Sequence, residues 1–390
     1  MSEYNIITDD QITRGDATDA YFERTEEALN AAEKNPKVVA EVTADQFSTG
    51  EFEVFTGLED AAKLLARANV DVDALPEGRL FDGGPVMRIE GEYLDFARLE
   101  TSLLGFLSQA SGIATAALEA RTAAPTCKVL SFGARHMHPG VAAVIERNAL
   151  IGSVDGFSHV AAGDLLDREA SGTMPHALML AFNEDTPKNA WQAFDQAAPE
   201  DVPRIALCDT YTDEVYEVEQ AVEALGDRLD GVRLDTTSSR RGDFPHIVKE
   251  VRYKLRELQR EDVEIFVSGG LGPEDMRELR DLVDGFGIGG YISNADPVDY
   301  SLDLVQVNGE DLSKRGKLAG VKEVYRTRSG NHVVKPAKNP EPEDPGTEKL
   351  LQPLIRDGEI VRDGFTIDDA ADRAATDAEI VGFADAPYEP

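Results

Sequence analysis

The chain has 390 residues, 42% of them hydrophobic, which is enough for two or three domains and a sizeable core. Acidic residues outnumber basic ones 74 to 39, a formal net charge of -35, and self-repulsion on that scale is screened away only where molar salt shortens the Debye length to about 3 Å. The balance implies a salt-adapted cytoplasmic protein and, with no basic stripe to neutralise phosphates, excludes nucleic acid as a partner.

Cys127 and Cys208 are too few and too isolated for a disulfide framework or a thiolate zinc site, which fits a reducing compartment. The opening MSEYNIITDDQIT lacks the basic and apolar stretches of a targeting segment. No apolar run approaches the ~20 residues that span a bilayer, so no membrane is expected.

In chain order, residues 9–35 carry polar start signals and then a helix with Tyr21, Phe22, Ala28 and Leu29 as its apolar members. VVAEVTA alternates as a strand, and EFEVFTG is a second strand running into the helix LEDAAKLLARA. LPEGRLFDGGPVMRIEGEY reads as two short strands around a Gly-Gly-Pro turn. LDFARLETSLLGFLSQASGIATAALEARTAA is a long helix that bridges two domains.

From Cys127 the rhythm becomes parallel β-α units, with strand candidates CKVLSFG, DGFSHVA, HALMLAF, RIALCDT, DGVRLDT, EIFVSGG and GFGIGG. Seven or so repeats predict a barrel. After residue 300 the pattern returns to strands, LDLVQVNG and VKEVYRTRSGNHVVKP, then a Pro-rich surface loop, KNPEPEDPG. The tail gives a strand pair around Asp357-Gly358 and a terminal helix, and is expected to complete the N-terminal module. The expected divisions are residues 1–115, 116–298 and 299–390.

Four of the six histidines, His136, His138, His159 and His176, fall within residues 131–180 beside short Gly-containing turns. The ends of barrel strands are where catalytic groups collect. VRLDT, FVSGGL and GFGIGG place glycines at the ends of late strands, where bare backbone amides can approach an anion or simply make tight turns. Arg233 and Asp235, two apart, point to one side of a strand and call for a ligand or for each other.

Taken together, TDAYFERT, SFGARHMHP, DGFSHV, SGTMPHALM, VRLDT, FVSGGL and GFGIGG resemble the nicotinate phosphoribosyltransferase family in its archaeal branch, in motif order from about residue 14 to residue 295. The resemblance implies an α/β fold of type II phosphoribosyltransferase architecture, an α/β sandwich plus an incomplete (β/α) barrel. It implies formation of nicotinate mononucleotide and pyrophosphate from nicotinate and phosphoribosyl pyrophosphate, coupled to ATP through a phosphohistidine at His176. Phe132 would stack on the pyridine ring, with Tyr21 of a neighbouring subunit on its other face, so a homodimer or larger assembly with shared sites is expected. Arg135 would meet phosphate or the nicotinate carboxylate.

Ser158 matches a family serine, though Phe157 and His159 depart from the pattern around it. Thr173 would donate to substrate or cap a turn. Ser268, Gly269, Gly270, Gly287, Gly289 and Gly290 would hold phosphate, with Arg233 and Asp235 beside His176 as catalytic groups. Asp209 and Asp235 would hold Mg²⁺ through water; no zinc is expected, because the cysteine cluster of some relatives is missing. Quinolinate or nicotinamide as acceptor is the alternative on the same fold. A closed-barrel aldolase or isomerase is the alternative of another class, and Lys128, the single lysine between Lys63 and Lys188, gives it little to work with.

Overall fold

In the computed structural model, which describes residues 3–44, 52–338, 347–362 and 365–383, the chain opens with α1 (Asp9–Thr13) and α2 (Ala20–Ala31). The alternating VVAEVTA gives β1 (Lys37–Ala44), followed by β2 (Glu53–Val54) and α3 (Leu58–Leu65). Next comes β3 (Val70–Ala74), a strand absent from the expectations above, whose valines are buried while its aspartates reach outward. β4 (Leu80–Phe81) and β5 (Pro85–Glu92) flank the Gly-Gly-Pro turn, and α4 (Tyr93–Phe96) leads through one 3-10 turn into α5 (Glu100–Ala123). Contrary to the sequence expectation, the stretch Tyr93–Ala123 is long and apolar enough to cross a membrane, with mean hydropathy 1.2 in its most apolar window. Yet 61% of that window is buried inside the protein, as in a core helix. Its small polar residues have a structural use: Thr115 Oγ1 accepts from the Val54 amide at 2.9 Å and Ser111 Oγ from the Thr56 amide at 3.1 Å.

The parallel region runs β6 (Lys128–Ser131), α6 (Ala142–Ile151), β7 (Gly156–Phe157), α7 (Val160–Leu166), α8 (His176–Phe182), α9 (Lys188–Ala197) and β8 (Ile205–Leu207). It continues with α10 (Glu214–Leu225), β9 (Gly231–Leu234), α11 (Ser238–Arg241), α12 (Phe244–Glu257), β10 (Glu264–Ser268), α13 (Pro273–Leu279), β11 (Gly285–Ile288) and α14 (Gly290–Ser293). Its sheet has the order β7-β6-β11-β10-β9-β8 with every pair parallel. β7 and β8 are free edges, so the barrel is incomplete. Six strands form it rather than seven, because HALMLAF is the helix α8. An unbroken apolar run does not separate strand from helix by period. Here Pro175 stands at the N-cap, Asn183 closes the last turn in the left-handed region, and Met179 alone in the run is buried.

The chain then adds β12 (Tyr300–Val307), β13 (Glu310–Asp311), β14 (Lys322–Arg326), β15 (His332–Pro336), β16 (Glu348–Lys349), β17 (Gln352–Arg356), β18 (Glu359–Ile360) and α15 (Ile367–Val381). Most of KNPEPEDPG lies outside the described residues. These strands return to the N-terminal ones: an antiparallel sheet of order β13-β12-β1-β5-β3-β17-β18 takes β12 beside β1 and β17 beside β3. Its core joins Val38, Val42, Val72, Met87 and Ile89 of the sheet to Leu58 and Leu65 of α3 and Leu103 and Leu107 of α5.

By its contacts the chain divides into two compact units. The first comprises residues up to Leu118, Arg147–Ser153 and the chain from Ala295 onward; the second is Glu119–Glu146 with Val154–Asn294. The last turns of α6, expected in the barrel, count with the first unit.

Candidate active site

Parallel strands deliver their following residues to one end of a sheet, and that end of the second unit gathers most of the predicted site. Asp209 follows β8, Asp235 follows β9, Ser268 ends β10, and His176 opens α8 between β7 and β8. Nε2 of His176 donates to Oδ1 of Asp209 at 3.0 Å, and Oδ2 of Asp209 accepts the Asp235 amide at 2.7 Å. Oδ1 of Asp235 accepts the Ser268 hydroxyl at 2.9 Å, while its Oδ2 faces Nδ1 of His176 at 4.0 Å. The imidazole therefore lies between two carboxylates, hydrogen-bonded to Asp209 through Nε2 and facing Asp235 with Nδ1.

The Asp209 side chain is 2% exposed and the His176 side chain 39%. Burial raises the Asp209 pKa, against the opposing pull of His176. Both Asp209 oxygens are engaged within the protein, so of the two expected magnesium carboxylates only Asp235, 26% exposed, keeps an oxygen outside any hydrogen bond among the described residues. Among the described residues no group of three or more His, Cys, Asp or Glu is arranged to hold a metal ion.

Arg233 does not close an ion pair with Asp235. It reaches the segment ahead of α8, donating from Nη2 to the Met174 carbonyl at 2.8 Å, one residue after the half-buried Thr173, and its buried Nε has no hydrogen-bond partner. Burial, with Arg135 adding to it, lowers the Arg233 pKa, while Asp235 and Asp209 pull the other way.

The glycines divide into two kinds. Gly269 and Gly270 sit at φ +99° and +70°, where a side chain is strained, and a Cβ on Gly269 would lie 2.8 Å from Oδ1 of Asp235. Gly287 instead makes room for an aromatic ring: a Cβ there would stand 2.3 Å from Cε2 of Phe132. Phe132 extends the β6 ladder by donating its amide to Ile288 at 2.8 Å, so its ring lies across β11 at the same end of the sheet. The expected phosphate role thus has a steric competitor at Gly287. Gly289 and Gly290 lie against the His136 imidazole, 3.2 Å and 3.5 Å from where a Cβ would stand on each.

Arg135 is exposed in the turn after Phe132, and Ser158 is exposed just past β7. His138 and His159 are caps, accepting the amides of Gly140 and Ala162 through Nδ1. Tyr21 belongs to the first unit, on α2, 56% exposed, with its ring 4.4 Å from that of Phe22.

Arg241 was missed by the sequence reading. From α11 it donates to the carbonyls of Thr236, Ser268 and Gly269, tying the turn after β9 to the glycine turn after β10. The signal was the Arg240-Arg241 pair three residues beyond VRLDT, after Thr237, Ser238 and Ser239, in a chain poor in bases. A cavity of about 910 Å³ lies elsewhere, in the first unit, and gathers none of the expected site residues.

This sheet, with imidazole, carboxylates and glycine turn at one end, is that of the type II phosphoribosyltransferases. Models of the quinolinate phosphoribosyl transferase N-terminal and C-terminal domains match residues 19–111 and 113–303. A nicotinate phosphoribosyltransferase of Mycobacterium tuberculosis is 30% identical over 322 residues, 78% of this chain and 67% of that one. The crystal structure of a nicotinate-nucleotide pyrophosphorylase from Pyrococcus furiosus is 45% identical, covers 98% of this chain and 99% of its own, and superposes with a TM-score of 0.94. Human nicotinic acid phosphoribosyltransferase shares the fold, with a TM-score of 0.77 at 21% identity over 93% of each chain. The chain belongs to the quinolinate phosphoribosyl transferase family, and the proteins it is similar to include ones named for nicotinate.

Proposed function

We propose that the chain is a cytoplasmic nicotinate phosphoribosyltransferase of NAD salvage, joining nicotinate to phosphoribosyl pyrophosphate and coupling the reaction to ATP through a phosphorylated His176. The observation that carries this reading is the imidazole held between Asp209 and Asp235, hydrogen-bonded through Nε2 and with Nδ1 in no hydrogen bond to a described residue. A phosphoribosyl transfer without ATP has no use for a nucleophile so prepared.

In the reading, Nδ1 attacks the γ-phosphorus of ATP and ADP leaves. The ring keeps its Nε2 proton and becomes cationic, and Asp209 stabilises that charge. At the sugar, the C1–O bond to pyrophosphate breaks as the pyridine nitrogen bonds C1, and the oxocarbenium-like ribose between them needs donors around the departing oxyanions. Water then cleaves the phosphohistidine to phosphate. Magnesium, when bound, would neutralise diphosphate charge; Asp235, through Oδ2, is the residue placed to hold it, with waters completing its shell. Phe132 offers one face for the flat ring.

The family models favour quinolinate as the acceptor, which has two carboxylates where nicotinate has one. The cations at this end of the sheet argue for nicotinate. Arg241 is tied to three backbone carbonyls and the buried Arg233 to one, and Arg135 alone of the three engages no described residue in a hydrogen bond or ion pair. The exposed fork of Arg135 suits one carboxylate. Beyond residue 303, where the quinolinate models end, this chain has a further segment with its own strands and helix. The closed-barrel aldolase alternative is set aside by the two free sheet edges and by the family.

The test is to supply phosphoribosyl pyrophosphate, Mg²⁺ and nicotinate, quinolinate or nicotinamide in high salt, with and without ATP, and to follow mononucleotide formation. Nicotinate turnover stimulated by ATP is expected. Quinolinate turnover with loss of carbon dioxide, and none with nicotinate, overturns the reading.

A further inference from the structure

Outside the parallel sheet, the first unit holds a cavity of about 250 Å³ lined by Leu58, Glu77, Arg79, Arg362, Phe365 and Arg373, among others. In a chain with nearly two acids per base, a guanidinium normally finds a carboxylate, and the surroundings show this. Glu77 is 3% exposed; its Oε1 takes the amides of Gly57 and Leu58 together with Arg147, and its Oε2 takes Arg147 again. Arg79 is held by Asp377 and Glu348, although its buried Nε has no partner.

Arg362 and Arg373 are different. Arg362 donates only to backbone carbonyls, those of Ala74, Leu75, Gln352 and Pro353. Arg373 gives Nη1 to the Glu77 carbonyl and spends its other donors on no described residue. Neither meets a carboxylate among the described residues, and the two lie near enough to repel. Burial first, then Arg373, push the Arg362 pKa down to about 10. Two neighbouring cations with unspent donors beside a cavity form an unbalanced site, because a partly buried charge without a counter-ion is costly.

We propose that this cavity binds a small tetrahedral oxyanion, inorganic phosphate or pyrophosphate, between Arg373 and Arg362. The open guanidinium fork of Arg373 matches such oxygens in pairs, Arg362 adds its charge and one unspent Nη1 hydrogen, and the volume exceeds what a single halide fills. The bound anion joins the segment after β17 and α15 to the turn carrying Pro76 and Glu77, so it stabilises the first unit by mass action. The site is separate from the residues of the proposed reaction and stands whether or not that reaction is correct.

The experiment is calorimetric titration of the full chain with phosphate and with pyrophosphate, in potassium glutamate at constant ionic strength, with melting temperature followed in parallel. With the reaction site filled by phosphoribosyl pyrophosphate, wild type and His176→Ala should each bind one further anion with a melting temperature several degrees higher, and Arg373→Gln should bind it at least tenfold more weakly. Should Arg373→Gln fail to fold, wild type saturated with phosphoribosyl pyrophosphate must still take up one phosphate. The proposal is overturned by no uptake there, by loss of binding in His176→Ala alone, or by an equal rise in melting temperature with chloride.

Discussion

Carboxylate clusters in the two units treat buried charge in opposite ways. In the first unit, Asp377 is 2% exposed and takes Arg79, Arg326 and the Leu80 amide, while Asp73 takes Arg88 and Arg356. In these two clusters each carboxylate oxygen has found a donor within the protein. At the strand ends of the second unit, Arg233 keeps a buried Nε without a partner, and Asp235 turns Oδ2 toward an imidazole 4.0 Å away. A structural cluster exhausts its hydrogen-bonding capacity within the protein; a functional one leaves part of it for a ligand.

The largest effect should come from removing the group that is prepared but unused. His176→Ala is expected to cut ATP-stimulated turnover on the order of 10²–10⁴-fold while leaving slow, ATP-independent transfer. Steady-state rates with and without ATP measure both. Complete loss of transfer in both conditions would make His176 part of the phosphoribosyl chemistry itself.

The matching change in the first unit should touch stability alone. Asp377→Ala leaves Arg79 and Arg326 with Glu348 as their one shared carboxylate, a loss of up to about 3–5 kcal/mol, the value for a buried pair broken outright. Urea unfolding at fixed salt should show it, with kcat per folded molecule unchanged. A drop in kcat would mean that the units do not divide the work as their charges imply.

Glu146 is the exception that sharpens the rule. It is fully buried in the second unit behind Ser131, and neither carboxyl oxygen has a hydrogen-bond partner of good geometry. Burial lifts its pKa from 4.5 to about 7, with Ser131 pulling the other way. Between those values the folded state holds the proton and the unfolded state does not, so stability falls as pH rises through that window and levels off above it. Glu146→Gln should remove this slope. It should match wild type near pH 4.5 and exceed it by up to about 3 kcal/mol at pH 8, the full value of the shift. Parallel unfolding curves at the two pH values decide it.

The division of the fold was readable because strand period and helix period differ: VVAEVTA alternates, while FPHIVKEVRYKLRELQR recurs at three and four. Where the period was silent, so was the sequence. HALMLAF is apolar throughout, and its helix is set by Pro175 before it; VDVDA alternates over five residues and passed unnoticed as β3. The strand-end residues were found because glycine and histidine are conspicuous. Arg241 was not, because its role depends on a span from α11 to the turn after β10 that spacing along the chain does not encode. The steric demand of Phe132 on Gly287 is likewise a contact between adjacent strands far apart in sequence.

The smallest effect concerns Tyr21, the expected site residue that belongs to the first unit. One face of its ring is taken by Phe22, yet the side chain stays 56% exposed, a large aromatic left in water on a short amphipathic helix. If it covers the pyridine of a neighbouring subunit, the contact is one aromatic pair, about 0.5–1.5 kcal/mol beyond the area it buries. Tyr21→Ala should then raise KM for nicotinate about tenfold or less with little change in kcat, and Tyr21→Phe should restore it, because the ring and not the hydroxyl makes the contact. Phe132→Ala, which removes the face supplied within the second unit, serves as the larger reference. An unchanged KM in Tyr21→Ala beside a raised one in Phe132→Ala would confine the acceptor site to the second unit and remove the argument for sites shared between subunits.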